Sequence, residues 1–175
     1  MIRTTYAVRL APYVLLIAPL FPAFGMDWKP VSAEDLSLKK PRVEASADAE
    51  CLFWEMWVAD SATNNEYPTT TYTHYLRLKI FNEAGAQKYG TVDLEYRGKE
   101  RIGDVVGRTI EPDGSIVELK KDAIFDHVIE KQHRRKARAI SFAMPGVKPG
   151  AIIEYRFKEY RDAALGVSRI LCKPL

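Results

Sequence analysis

Between Tyr72 and Leu119 apolar and polar positions alternate with a period of two. Tyr72, Leu76, Leu78 and Ile80 share one parity; Thr71, Thr73, Arg77 and Lys79 share the other. That period is what a strand with one buried face requires. Asn82-Glu83-Ala84-Gly85 breaks the run, and Val92, Leu94 and Tyr96 resume it against Thr91, Asp93, Glu95 and Arg97. A third strand over about Val105 to Ile110 meets Pro112-Asp113-Gly114, and a fourth begins at Ser115. Proline presets φ for the first turn position and glycine accepts φ > 0, so this tripeptide between apolar runs predicts a hairpin. The stretch predicts a four-strand antiparallel core.

Outside this stretch the pattern adds more strands. Cys51 to Ala59 (CLFWEMWVA) is apolar on both parities, which predicts a central strand with Trp54 and Trp57 on opposite faces. Ser61 to Thr70 is polar, holds Asn-Asn and Tyr-Pro, and reads as an exposed loop. Arg138, Ile140, Phe142 and Met144 share one parity after Ile124 to Ile129. Ile153, Tyr155 and Phe157 follow a Pro149-Gly150 turn and oppose Glu154, Arg156 and Lys158. Ahead of all of these, Ser32-Ala-Glu-Asp reads as a helix N-cap with an acidic first turn, a short helix that Pro41 stops. Its expected role is to cover an edge or end of the sheets. About seven short strands separated by turns predict an all-β antiparallel sandwich.

The phrases LKIFNEAGAQKYGTVDLEY, GRTIEPDGSIVEL and FAMPGVKPGAIIEYRF, in that order, resemble the bacterial family of domain of unknown function 3857. The resemblance runs from about Trp28 to Arg161. It implies an immunoglobulin-like β-sandwich with an accessory, non-catalytic role in an exported protein, ahead of a transglutaminase-like domain. It brings no catalytic residues and no cofactor.

Composition is that of a soluble globular chain: 47% hydrophobic and 28% charged in 175 residues. Arg3 and Arg9, the apolar Leu10 to Leu20 and small residues at Ala23 and Gly25 read as a cleavable signal peptide over 1–25. Its apolar stretch is interrupted by Pro12, Pro19 and Pro22 and is shorter than the ~20 residues a spanning helix needs. Location is therefore expected to be periplasmic or secreted, with no membrane span after cleavage. The mature chain then carries 24 basic against 23 acidic residues, so net charge points to no nucleic acid. The remaining organisation reads as a lead-in over 26–49, the sandwich over 50–161 and a divergent tail over 162–175. The family pattern fades in that tail, as a truncated gene product would explain.

Five candidate roles compete with blander ones. Cys51 with His74, His127 and His133 supplies residue types of a cysteine nucleophile, but Cys51 opens an apolar strand, where a thiol is a small hydrophobe. His127 and His133, with Asp122 and Asp126, have no recognised metal-ligand spacing and read as solvated loop residues. The run Lys131 to Arg138, with Arg134, Arg135 and Lys136 at its centre, can hold an anionic envelope polymer or simply protect an edge. Trp54 or Trp57 can serve as a platform for a sugar ring, although core packing is the expectation. A Cys51–Cys172 disulfide is open to an exported chain, and in the chain-entropy model it would stabilise by ~4–5 kcal/mol. The partner implied is a transglutaminase-like domain, or else an envelope polymer bound by a stand-alone module. A third reading is an inactive N-terminal fragment of a cysteine-dependent enzyme.

Overall fold

The computed structural model describes residues 28–61, 69–132 and 135–162. The signal segment, the tail with Cys172, most of the 61–70 loop, His133 and Arg134 lie outside the described residues. The chain forms two units, Met1–Pro30 and Val31–Leu175, and every described helix and strand belongs to the second.

The elements run α1 (Ala33–Ser37), β1 (Ala49–Ser61), β2 (Thr69–Ile80), α2 (Glu83–Tyr89), β3 (Thr91–Arg97), β4 (Arg101–Ile110), β5 (Ile116–Glu118), β6 (Ile124–Gln132), β7 (Arg135–Ala143) and β8 (Ile152–Asp162). Two antiparallel sheets result, ordered β1-β2-β8-β4-β5 and β3-β7-β6. The chain is thus an all-β sandwich with a short N-terminal helix.

Three local expectations are corrected. The four consecutive strands do not form one sheet: β8 inserts between β2 and β4, and β3 pairs with β7. The break after Ile80 is a helix, because Asn82 caps it by accepting from Gly85 N–H at 2.9 Å. The strand read as central, β1, is an edge strand without a fully buried residue, its apolar second face notwithstanding. The Pro112-Asp113-Gly114 hairpin does form, with Gly114 at φ 87° and Glu111 N–H bonded to Ser115 O at 2.8 Å.

The core lies between the sheets. Leu76, Leu78, Ile80, Ile153 and Phe157 of the larger sheet meet Ile140, Phe142 and Met144 of the smaller one. Phe142 meets Tyr155 edge-on, ring centroids 5.8 Å apart. Burial pushes the Tyr155 phenol up from 10.0 to about 12, with Cys51 adding to the effect. A raised acid keeps its neutral form folded, so this stability is whole below pH 10 and is lost as pH rises through 12. Tyr155→Phe should therefore lose less stability than the parent between pH 9 and 11, by about 1 kcal/mol, read from urea midpoints at those two pH values. An equal loss in both proteins would remove Tyr155 from the account of alkaline unfolding.

The opposite face of the larger sheet departs from the pattern. Arg77 and Lys79, on the polar parity of β2, are 3% and 1% exposed. Glu154 is fully buried and accepts from Arg77 Nε at 2.5 Å, Arg108 Nε at 2.6 Å and Tyr75 Oη at 2.8 Å. Phe53 covers Arg77, whose guanidinium lies 4.7 Å from the ring centroid. The lead-in closes the rest. Lys79 Nζ donates to Leu36 O at 2.8 Å and Gly150 O at 2.6 Å, and Arg42 Nε donates to Glu50 of β1 at 3.3 Å. The lead-in therefore covers part of a sheet face rather than an edge alone.

Candidate functional site

A short crossover sets which residues share one end of the sandwich. Arg97, the last residue of β3, pairs with Ala137 in the smaller sheet, and Arg101, the first of β4, pairs with Tyr160 in the larger. Only residues 98–100 separate them, with Gly98 at φ 65° allowing the turn. The two sheets are thereby tied together at that end. Both the β6–β7 hairpin, which pairs Gln132 with Arg135, and the Ser61, Thr69 and Asp162 strand ends extend beyond it. The basic run and the tryptophan-bearing edge, far apart in sequence, lie at the same end.

There the inner faces turn from apolar to polar. On β8 the parity of Ile153, Tyr155 and Phe157 continues as Glu159 and Arg161; on β7 that of Phe142 and Ile140 continues as Arg138. In the larger sheet Trp54 Nε1 donates to His74 Nδ1 at 3.3 Å. The His74 ring stacks on Phe157, centroids 4.5 Å apart and planes within 11°. An accepting Nδ1 leaves the neutral ring's proton on Nε2, which lies 3.7 Å from Glu159 Oε2. Glu159 also accepts from Arg161 Nε at 2.5 Å, and Arg161 lies over the Tyr72 ring. The His74 imidazole and the Arg161 guanidinium hold the Glu159 carboxyl below its ordinary range, against the opposing effect of burial. At 3.7 Å His74 acts as a close dipole rather than a full hydrogen bond, so the short Arg161 contact is the firmer link.

The smaller sheet carries a second polar group on its inner parity. Tyr96 Oη donates to Asp126 Oδ1 at 2.8 Å, and Arg138 bonds both, with Nη2 2.9 Å from Asp126 Oδ2. Hydrogen bonding to Arg138 is the main cause holding the Asp126 carboxyl down.

Each residue singled out in the sequence can now be placed. Trp54 and Trp57 stand 45% and 43% exposed on edge strand β1, where core packing was expected. Their partners Leu76 and Thr73 put them on opposite faces, so only Trp54 is on the inner face. Cys51 sits opposite Leu78, four positions along β2 from His74, about 13 Å away at 3.3 Å per residue. Burial raises its thiol pKa, the reverse of nucleophile activation. His127 is exposed on β6, not in a loop. Among the described residues no group of three His, Cys, Asp or Glu is placed to hold a metal. No described helix is long and apolar enough to cross a membrane. Arg135 and Lys136 stand in β7 opposite Gln132 and Lys131. Sequence reasoning missed Glu159, Arg161 and Tyr96 as site residues. The available signal was charge continuing an apolar parity on β8.

Among solved structures, the chain is similar to a putative protease from Parabacteroides distasonis, with 16% identity and a TM-score of 0.49. The match covers 65% of this chain and 23% of that one, so this chain spans less than a quarter of that protein. It is also similar to the CBM3a-L domain with flanking linkers from scaffoldin CipA of the Clostridium thermocellum cellulosome, with 12% identity, a TM-score of 0.31 and coverage of 61% and 66%. A high-resolution structure of the family 3a carbohydrate-binding module from the same scaffoldin gives 13%, 0.29, 61% and 74%. Likenesses this distant say nothing about binding or catalysis. No curated protein matches the chain. The pattern of DUF3857, a domain of unknown function for which structures have been solved, matches residues 68–165, more than half of the sequence. The chain belongs to the DUF3857 family.

Proposed function

We propose that this chain is an exported, non-catalytic accessory domain that positions or covers a transglutaminase-like domain. The state of Cys51 carries the non-catalytic half: it is desolvated, its thiol is pushed up, and its register keeps it away from His74. A cysteine nucleophile needs the thiolate form and a base within hydrogen-bond reach. The pattern of residues 1–25 supports export, and the resemblance of the strand phrases supports the partner. The test adds the purified chain to a transglutaminase-like domain from a longer family protein and reads that domain's thermal midpoint and its rate. A raised midpoint or altered rate is expected, and alkylation of Cys51 by iodoacetamide should be slower than that of a free cysteine. An unmoved midpoint and rate would defeat the accessory reading; fast alkylation would defeat its non-catalytic half.

One observation favours a second reading, a binding module for an envelope polymer. Two large aromatic residues, Trp54 and Trp57, are nearly half exposed on edge strand β1, where burial would have stabilised the fold.

A further inference from the structure

We propose that the cavity between the end of α1 and the turns at Pro112 and Pro149-Gly150 binds a small organic acid, its carboxylate on Lys79 and its apolar chain along the walls. This goes beyond both readings above, and its failure would leave them standing. The first observation is a buried cation without an anion. Lys79 is 1% exposed, and its ammonium donates to two neutral carbonyls, Leu36 O at 2.8 Å and Gly150 O at 2.6 Å. Among the described residues no carboxylate lies within ion-pair distance of it. Burial pushes its pKa below the usual lysine value, and the field of Asp35 opposes that only in part. Asp35 is engaged elsewhere, 3.8 Å from Arg42 Nη2 and 4.0 Å from Arg77 Nη1. A buried charge ordinarily has an ionic partner, and two carbonyls leave one of the three ammonium N–H groups for a ligand.

The second observation is the space beside that ammonium. The cavity holds about 380 Å³, and Lys79 lines it together with Leu36 and Gly150, the residues that supply the two carbonyls. Small-molecule sites span ~300–1,000 Å³. Leu38, Phe81, Pro112 and Pro149 give it apolar walls, and Lys39 adds an exposed cation. One buried ammonium among apolar walls matches a monocarboxylate with a short hydrocarbon chain.

The third observation is that the frame is fixed. Gly150 N–H donates to Ile80 O at 2.8 Å, and Ile80 N–H donates to Ala151 O at 2.9 Å, so the turn beside Lys79 is tied to β2. A site held in place before binding loses little freedom when the ligand enters.

Equilibrium dialysis of the chain against octanoate, octan-1-ol, octylammonium and acetate tests this. Octanoate should bind at one site, about tenfold more tightly than octanol, because only the acid gains a charge-assisted hydrogen bond. Acetate and octylammonium should bind more weakly still. Lys79→Met, which keeps the stem, should bring octanoate down to the affinity of octanol. Ser37→Trp puts bulk at an exposed lining position and should weaken octanoate and octanol alike. Octanol or octylammonium bound as tightly as octanoate overturns the role of the ammonium. Acetate bound as tightly overturns the role of the apolar walls. Equal losses from Lys39→Gln and Lys79→Met put the anion on the exposed rim and overturn the placement. Octanoate affinity unmoved by Ser37→Trp overturns the cavity, and this arm decides even where Lys79→Met does not fold. Octanoate that does not bind at all overturns the inference outright.

Discussion

Glu154→Gln should destabilise the domain by about 3–5 kcal/mol, a large part of the ~5–15 kcal/mol that holds a typical domain together. The substitution changes almost no volume, so packing loss is not the cause. It removes a carboxylate that accepts from Arg77 Nε and Arg108 Nε, whose side chains are 4% and 11% exposed, and leaves both guanidiniums facing an amide there, with Asp35 4.0 Å from Arg77. Removing the charge partner of a buried cation is among the few mechanisms that reach this magnitude. Urea unfolding should show the midpoint falling with the slope unchanged. A companion variant separates charge from shape: Arg77→Met, Glu154→Leu and Arg108→Met together should recover most of the loss, since an apolar replacement of a whole buried cluster is often neutral. If Glu154→Gln lies within about 1 kcal/mol of the parent, the cluster is not what holds the three strands in register.

Gly85→Ala should also destabilise, by about 2–4 kcal/mol, although alanine in place of a helix-interior glycine ordinarily gains ~1 kcal/mol. The sign is reversed by a close approach. Gly85 is buried in α2, and a Cβ there would lie 2.3 Å from Asp48 O and 2.9 Å from Asp48 C. Both atoms are backbone, and Asp48 O already accepts from Phe81 N–H at 2.9 Å. Asn82 Nδ2 also donates to Asp48 Oδ1 at 2.7 Å, so the cap of α2 and the start of β1 are tied at one point. Relief requires either α2 or the chain before β1 to move. A thermal midpoint equal to or above the parent's would show that this junction yields without cost, contrary to the packing described.

Local order was legible where one residue's neighbours in sequence are also its neighbours in space. The alternation of Leu76, Leu78 and Ile80 marked β2's core face correctly, because a strand's period of two holds whatever the strand packs against. The Pro112-Asp113-Gly114 turn was legible for the same reason. Arg77 and Lys79 were misread as a solvent face. Their burial depends on α1 from one side of the sequence and Glu154 from the other, and no periodicity reports that. Asn82-Glu83-Ala84-Gly85 reads as a mere break because the helix it opens has little apolar face of its own; its buried residues, Gly85 and Ala86, are small.

The candidate site divides in the same way. Trp54, Trp57 and the basic run were visible as residue types able to hold a sugar or an anion. Their surroundings were not, since the partners of Trp54 come from distant strands: His74, which accepts its N–H, lies on β2, and Phe157 beneath that imidazole lies on β8. The sequence by itself determined that this protein is built of short antiparallel strands with one helical lead-in, because backbone periodicity and turn chemistry are local; the family was legible separately, in the resemblance of three strand phrases. Tertiary structure alone decided that β1 is an edge, that a carboxylate and two guanidiniums are buried behind the sheet, and that Trp54 is pinned by His74. Each of those depends on which distant strand lies alongside, and pairing is settled by the free energy of the whole packed sandwich rather than by any one segment.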